Sequence, residues 1–186
     1  DDARALLEAG ALLANVGLVI SHAQHHKHSY YLIRNSDRLV GFTDGEIELV
    51  ALIARYHRRS SPRASHPEWT ALEADEQRIV AVCAGILRIA IGLDRGHRGL
   101  VEGVRIEGAG GGGPAKPTKA AKGTKPSKAA KGERRATEDR TLRIVGELAA
   151  GVTLDDAALE AFAAEERTGL LAETLDRPVV IELAVR

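Results

Sequence analysis

The sequence predicts a mainly α fold. A helical domain is expected over residues 1–99, followed by a small α+β annex of β–β–α–β order at 100–107 and 137–186, with a basic insertion at 108–136. Three observations predict this. Apolar residues recur at helical spacing up to about residue 93. After residue 99 the period drops to two in three short stretches. Between the first two of these lies a segment without a single Leu, Ile, Val, Phe, Tyr or Trp.

The first helix is predicted at residues 3–16, where Ala3, Leu6, Leu7, Leu12, Leu13 and Val16 share a stripe and Gly17 reads as its C-cap. A complete helix start follows at Phe42-Thr43-Asp44-Gly45-Glu46-Ile47. Thr43 caps, Glu46 closes the capping box, and Phe42 with Ile47 forms a hydrophobic staple. That helix should reach about Arg58, with Ile47, Val50, Ala51, Ala54 and His57 inward. Ser60-Ser61-Pro62 and His66-Pro67 are breakers, and Trp69 is placed to anchor the loop between helices. The strongest helix is at residues 75–93, with Ile79, Val80, Cys83, Ile86, Leu87 and Ala90 at core spacing. Strands follow at 101–107, 141–148 and 178–185, with one helix at roughly 154–175 before the last.

The net charge is zero, with 26 basic and 26 acidic residues, but it is divided unevenly. Residues 1–107 carry 13 basic and 14 acidic residues, for −1; residues 108–136 carry eight and one, for +7; residues 137–186 carry five and 11, for −6. The basic segment repeats itself, Lys116-Pro117-Thr118-Lys119-Ala120-Ala121-Lys122-Gly123 returning as Lys125-Pro126-Ser127-Lys128-Ala129-Ala130-Lys131-Gly132. Lacking apolar side chains it cannot offset its ordering entropy, so it is expected to be a disordered loop, a spacer or a non-specific polyanion tether. The single cysteine, Cys83, excludes an intrachain disulfide framework and fits a reducing compartment. No secretory signal and no apolar run of about 18 residues is visible, which predicts a cytoplasmic location and no membrane contact. The sequence has no methionine and opens on an already helical pattern, so it reads as a piece of a longer chain.

Candidate chemistry is confined to a few segments. Four of the seven histidines lie in Ser21–Ser36, and Arg55-Tyr56-His57-Arg58-Arg59 forms a second polar cluster. His26, Lys27, His28 and Arg34, then Arg55, His57, Arg58 and Arg59, then Arg88 and Arg95, are candidate phosphate donors: Arg pairs phosphate oxygens bidentately and Lys acts as a point charge. The alternatives are hydrogen-bonded helix histidines and a solvated helix end. On a helix His22 with His26, spaced i,i+4, or His25 with His28, spaced i,i+3, could share one ion; these and Asp94 are weak metal candidates, because no carboxylate lies within the histidine cluster. No Ser-His-Asp or Cys-His arrangement, and no phosphate-binding Gly-rich loop between a strand and a helix, is present, so no catalytic residue is assigned. Tyr30 and Tyr31 read as packing residues, with guanine stacking as the alternative.

The order Leu13-Ala14-Asn15-Val16-Gly17, then S-H-A-Q-H-H-K-H-S-Y-Y-L-I-R-N-S at 21–36, G-F-T-D-G-E-I-E-L-V at 41–50, A-R-Y-H-R-R at 54–59 and L-R-I-A-I-G-L-D-R at 87–95 resembles the C-terminal part of the exopolyphosphatase / guanosine pentaphosphate phosphohydrolase (Ppx/GppA) family. The likeness resumes at Ala163–Arg167 and Leu175–Ile181. It implies a helical domain of the HD type. It also implies a parent protein with upstream two-lobed phosphatase machinery, dependent on Mg²⁺, that removes terminal phosphate from polyphosphate or guanosine pentaphosphate. This chain would hold the substrate, and a homodimer is expected. A regulatory or dimerisation module that no longer binds ligand is the alternative. An HD-type metal phosphohydrolase is a weaker one. The HD metal site needs a His-Asp pair, and here Ala14-Asn15 stands where many relatives have His followed by an acid.

Overall fold

The computed structural model describes residues 2–58, 60–107 and 140–185. The basic insertion therefore lies outside the described residues, as does Arg59. The architecture is mainly α with a small three-stranded sheet. In order, the elements are α1 (Asp2–Leu13), a short 3₁₀ helix (Val16–Val19), α2 (His25–Arg34), α3 (Asp44–Arg55), α4 (Pro67–Thr70), α5 (Ala74–Leu93), β1 (Val101–Glu107), β2 (Leu142–Leu148), α6 (Ala158–Glu165), α7 (Gly169–Leu175) and β3 (Val179–Ala184).

The central helix is α3. Every residue from Leu49 to Ala54 is buried, so it is enclosed on all sides rather than on one stripe. Its start is the one the sequence specifies: the Thr43 side chain accepts from the Glu46 N–H, and the Glu46 carboxylate accepts from the Thr43 N–H at 2.7 Å. Around α3 pack Leu6 of α1, Ile33 of α2, and Val80, Cys83, Ala84 and Leu87 of α5. The C-terminal end of α5 serves a second core. There Ile89 and Leu93 meet Leu142 and Ile144 of β2, Ala164 of α6, Leu171 of α7, and Val179 and Ile181 of β3. Removing the Thr43 cap leaves helix-start donors unpaired, so Thr43→Ala should lower unfolding stability by about 1 kcal/mol. An unchanged urea midpoint would show that the cap contributes nothing.

The strands run in the order β1-β2-β3, with β1 antiparallel to β2 and β2 parallel to β3. The parallel step needs a crossover, which α6 and α7 supply. Four details differ from the sequence reading. The first helix ends at Leu13, and Gly17 belongs to the 3₁₀ turn, where α2 lies against it. The expected helix at 154–175 is two helices, α6 and α7, separated by Glu166–Thr168. Ile86 and Ala90 of α5 are exposed, since α5 presents Gly85 to Leu171 and Gly92 to α6 instead. A Cβ on Gly92 would fall 2.5 Å from the Ala164 Cα, so the bare backbone is what lets α5 and α6 cross. Finally, α3 stops at Arg55, before His57 and Arg58.

Candidate functional site

The site region is built where α2 crosses the end of α3. The Gly17 N–H donates to the Ser29 hydroxyl at 2.9 Å, and that hydroxyl donates to the Ala14 carbonyl at 2.7 Å. Ser29 is fully buried, so this pair of bonds locks α2 onto the turn beneath it. The next face of α2 carries His25, which meets His57 just beyond α3, with the two Nε2 atoms 3.3 Å apart. His57 Nδ1 donates to the Ala54 carbonyl of its own helix end. Burial pulls its pKa down to about 4, against the raising effect of the Ala54 bond, and the nearby charges of His25, Arg58 and Arg88 add to the fall.

His26 and Lys27 sit beside this pair on α2. Burial, followed by the charges of Arg58, His57, His25 and Lys27, holds the His26 pKa down to about 4. His66, in the loop before α4, is lowered by desolvation and then by Arg55, Arg63 and Lys27. The charges that act most strongly on these two rings are basic. Lys27, Arg58 and Arg63 are exposed and His28 is half-buried. The 55–66 segment is fixed from below. Arg88, buried on α5, donates to the Tyr56 and Ser60 carbonyls at 2.7 Å each, and burial lowers its pKa to about 10. The buried Tyr56 bonds through its hydroxyl to His66 Nδ1 at 2.8 Å and meets Trp69 edge-on.

On the far side of Tyr30 the charges are paired. Arg34 donates to both Asp44 oxygens at 2.8 and 3.0 Å and to Glu48 at 2.6 Å. Tyr30 donates to Glu48 at 2.8 Å, and burial pushes its pKa up to about 12. Arg55 pairs with Glu68 and stacks over the Tyr30 and Tyr56 rings at 5.3 and 5.8 Å.

With this geometry in view, residues 1–108 match the family model described as Ppx/GppA phosphatase, domain III. The chain belongs to the Ppx/GppA phosphatase family. A similar protein is the guanosine-5'-triphosphate,3'-diphosphate pyrophosphatase of Pseudoalteromonas translucida (strain TAC 125), 40% identical over 53 residues. That stretch is 28% of this chain and 10% of the relative, so the match spans about a tenth of the relative's length.

Within this Ppx/GppA domain, the structure divides the residues selected from sequence. His26 and Lys27 lie near Arg58 at the α2–α3 corner, and His28 is half-buried on α2, its backbone against Gly17. Arg34 and Arg55 belong to carboxylate pairs, so their guanidinium forks are occupied. His57 and Arg88 are buried at 5% and 7% exposure and serve the backbone, which takes both off any rim. Arg95 falls past α5 in the loop that packs on α6, where Gly96 N–H donates to the buried Glu160. Asp94 bonds to His97 and not to a histidine of α2. His22 and His26 do not close a shell either: among the described residues no group of three candidate ligands gathers. Sequence reasoning paired His25 with His28 rather than with His57, and it missed Arg63. The partner of His25 lies 32 residues away and leaves no local signal, and Arg63 follows a segment read only as a breaker. Tyr30 is a packing residue with a bonded hydroxyl, and Tyr31 is 62% exposed.

Proposed function

We propose that this domain is the substrate-holding, non-catalytic part of an exopolyphosphatase-type hydrolase, and that its corner of Lys27, His26, His28, Arg58 and Arg63 guides a phosphate chain. The observation that carries this reading is that exposed basic side chains face both rings: Lys27 and Arg58 act on His26, and Lys27 and Arg63 act on His66. Exposed side chains of one sign on a backbone anchored through Ser29 and Arg88 suit a polyanion, whose successive phosphates accept point charges without strict geometry. Polyphosphate, or the phosphates of guanosine pentaphosphate, has that chemistry. The parent protein would supply Mg²⁺ and the phosphoryl-transfer residues upstream. Arg34 and Arg55, already bound by carboxylates, would set the shape of α2 and α3 and not touch the ligand.

A specific observation also favours an interaction role for the turn beneath α2 and the end of α1 next to it. Leu12 and Val19 are 86% and 80% exposed, and Leu18 and Ile20 beside them are about half exposed. Such an apolar run suits contact with the upstream lobes or with a second copy of the chain. The two roles are compatible on one domain. The test of the non-catalytic reading is direct. With polyphosphate and either Mg²⁺ or Mn²⁺, the purified chain should release no phosphate above the buffer rate. Turnover that disappears in Asp94→Ala would instead establish a metal phosphohydrolase site.

A further inference from the structure

The histidine pair at the α2–α3 crossing is not explained by phosphate holding. His25 and His57 are 6% and 5% exposed, and neither ring is available to a polyanion. Their centroids are 5.3 Å apart and their planes differ by 32°, so the rings lie nearly end to end with the Nε2 atoms facing across the gap. The opposite nitrogens both face carbonyl oxygens: His57 Nδ1 faces Ala54, and His25 Nδ1 is 3.3 Å from the His22 carbonyl. A carbonyl only accepts, so each Nδ1 is best protonated. That leaves two unprotonated Nε2 atoms 3.3 Å apart, a repulsive arrangement unless one cation, off the line between them, takes both lone pairs.

We propose that His25 and His57 form a two-imidazole site for a transition-metal dication of the Zn²⁺ class. The geometry is that of coordinated imidazoles. Two nitrogens each about 2.0–2.1 Å from one tetrahedral ion stand about 3.3 Å apart. An Nδ1–H held by a backbone carbonyl is the usual outer support that fixes the tautomer of a ligating histidine. The ring of His26 adjoins the pair, and its Nδ1 is enclosed without a hydrogen-bond partner. Because no third ligand closes the shell among the described residues, water would fill the remaining positions. With no carboxylate in the shell and Arg58 nearby, the affinity belongs in the micromolar class rather than that of a closed structural zinc site. This inference stands independently of polyphosphate holding, since it uses neither Lys27 nor the exposed rim.

The test is calorimetric titration of ZnCl₂ into the full chain after treatment with a chelator. One equivalent should bind with a micromolar Kd, and at about a hundredfold excess over that Kd the thermal midpoint should rise by roughly 5–10 °C. His25→Gln and His57→Gln should each weaken Zn²⁺ about tenfold or more, while His97→Gln, an exposed histidine, should not. Because both ligands are buried, the native protein supplies a second reading free of folding effects. In long-range ¹H–¹⁵N spectra, one equivalent of Zn²⁺ should move the Nε2 resonances of His25 and His57 and leave their Nδ1–H in place. The proposal is overturned if Zn²⁺ shows no binding below millimolar concentration. It is equally overturned if the resonances that move belong to His22 or His28, or if Zn²⁺ affinity survives in folded His25→Gln and His57→Gln. In each of these cases the pair would share a proton and no metal.

Discussion

Gly17→Ala should be among the most damaging single substitutions in the chain, lowering unfolding stability by about 3 kcal/mol or more. A Cβ at this position would sit inside contact distance of the His25 carbonyl oxygen and the Ser29 amide nitrogen, and 2.8 Å from the His28 carbonyl carbon. All three are backbone atoms of α2, so no side chain can rotate away, and α2 itself must lift. Lifting it breaks the bond from Gly17 N–H to the Ser29 hydroxyl and the bond from that hydroxyl to Ala14, stranding polar groups in a buried place. It also separates His25 from His57 and shifts Lys27 away from Arg58, so stability and the basic corner should suffer together. Urea unfolding gives the measurement. A loss below about 1 kcal/mol would show that α2 floats on the turn and is not locked to it. Gly45→Ala makes a fair comparison, because an added Cβ there meets nothing within 4 Å.

Acid should weaken the metal-free protein by a comparable amount through His57. Its folded pKa of about 4 lies below the ordinary 6.5. The unfolded chain therefore binds the proton first, and stability falls as pH drops through the window from 6.5 to about 4. Above 6.5 both states are neutral at this ring and the effect vanishes. The full size of the loss is about 3 kcal/mol for a difference of this extent. Urea unfolding at pH 7.5 and pH 4.5, with chelator present, measures it. The same comparison in His57→Gln should show a visibly smaller pH difference, although that variant starts from a lower stability. An identical pH dependence in the two proteins would mean that other groups carry the acid sensitivity.

The sequence was most informative where the causes are local. The Thr43–Glu46 capping box and the three alternating strands depend on residues a few positions apart, and the structure has them at the expected places. Gly17 shows the limit. A glycine after an apolar stripe looks the same whether it caps a helix or lets another helix approach, and only the position of α2 decides. The split between α6 and α7 falls at Glu166–Thr168, and only Gly169, the first residue of α7, marks it in the sequence. The candidate site was legible as a set of segments but not as a set of roles. Arg34, Arg55 and Arg88 carry the same guanidinium as Arg58. Their tasks differ because Asp44, Glu48, Glu68 and the Tyr56 and Ser60 carbonyls are brought to them by tertiary packing. The pairing of His25 with His57 joins positions 32 residues apart and leaves no periodic trace.

The measurement that bears most directly on substrate holding is a polyphosphate titration. It should use the protein with residues 109–135 replaced by a short Gly-Ser turn, so that the insertion's lysines cannot bind the polyanion by themselves. At low salt polyphosphate should bind, and log affinity should fall linearly with log salt as condensed counterions are released, by analogy with nucleic acids. Lys27→Glu combined with Arg58→Glu should weaken binding about tenfold or more and flatten the salt slope by roughly two, because two phosphate contacts become repulsive. Ser60→Ala with Ser61→Ala, adjacent but uncharged, should leave both unchanged. No binding at low salt, or binding with the native salt slope in the Lys27→Glu, Arg58→Glu protein, would contradict the account.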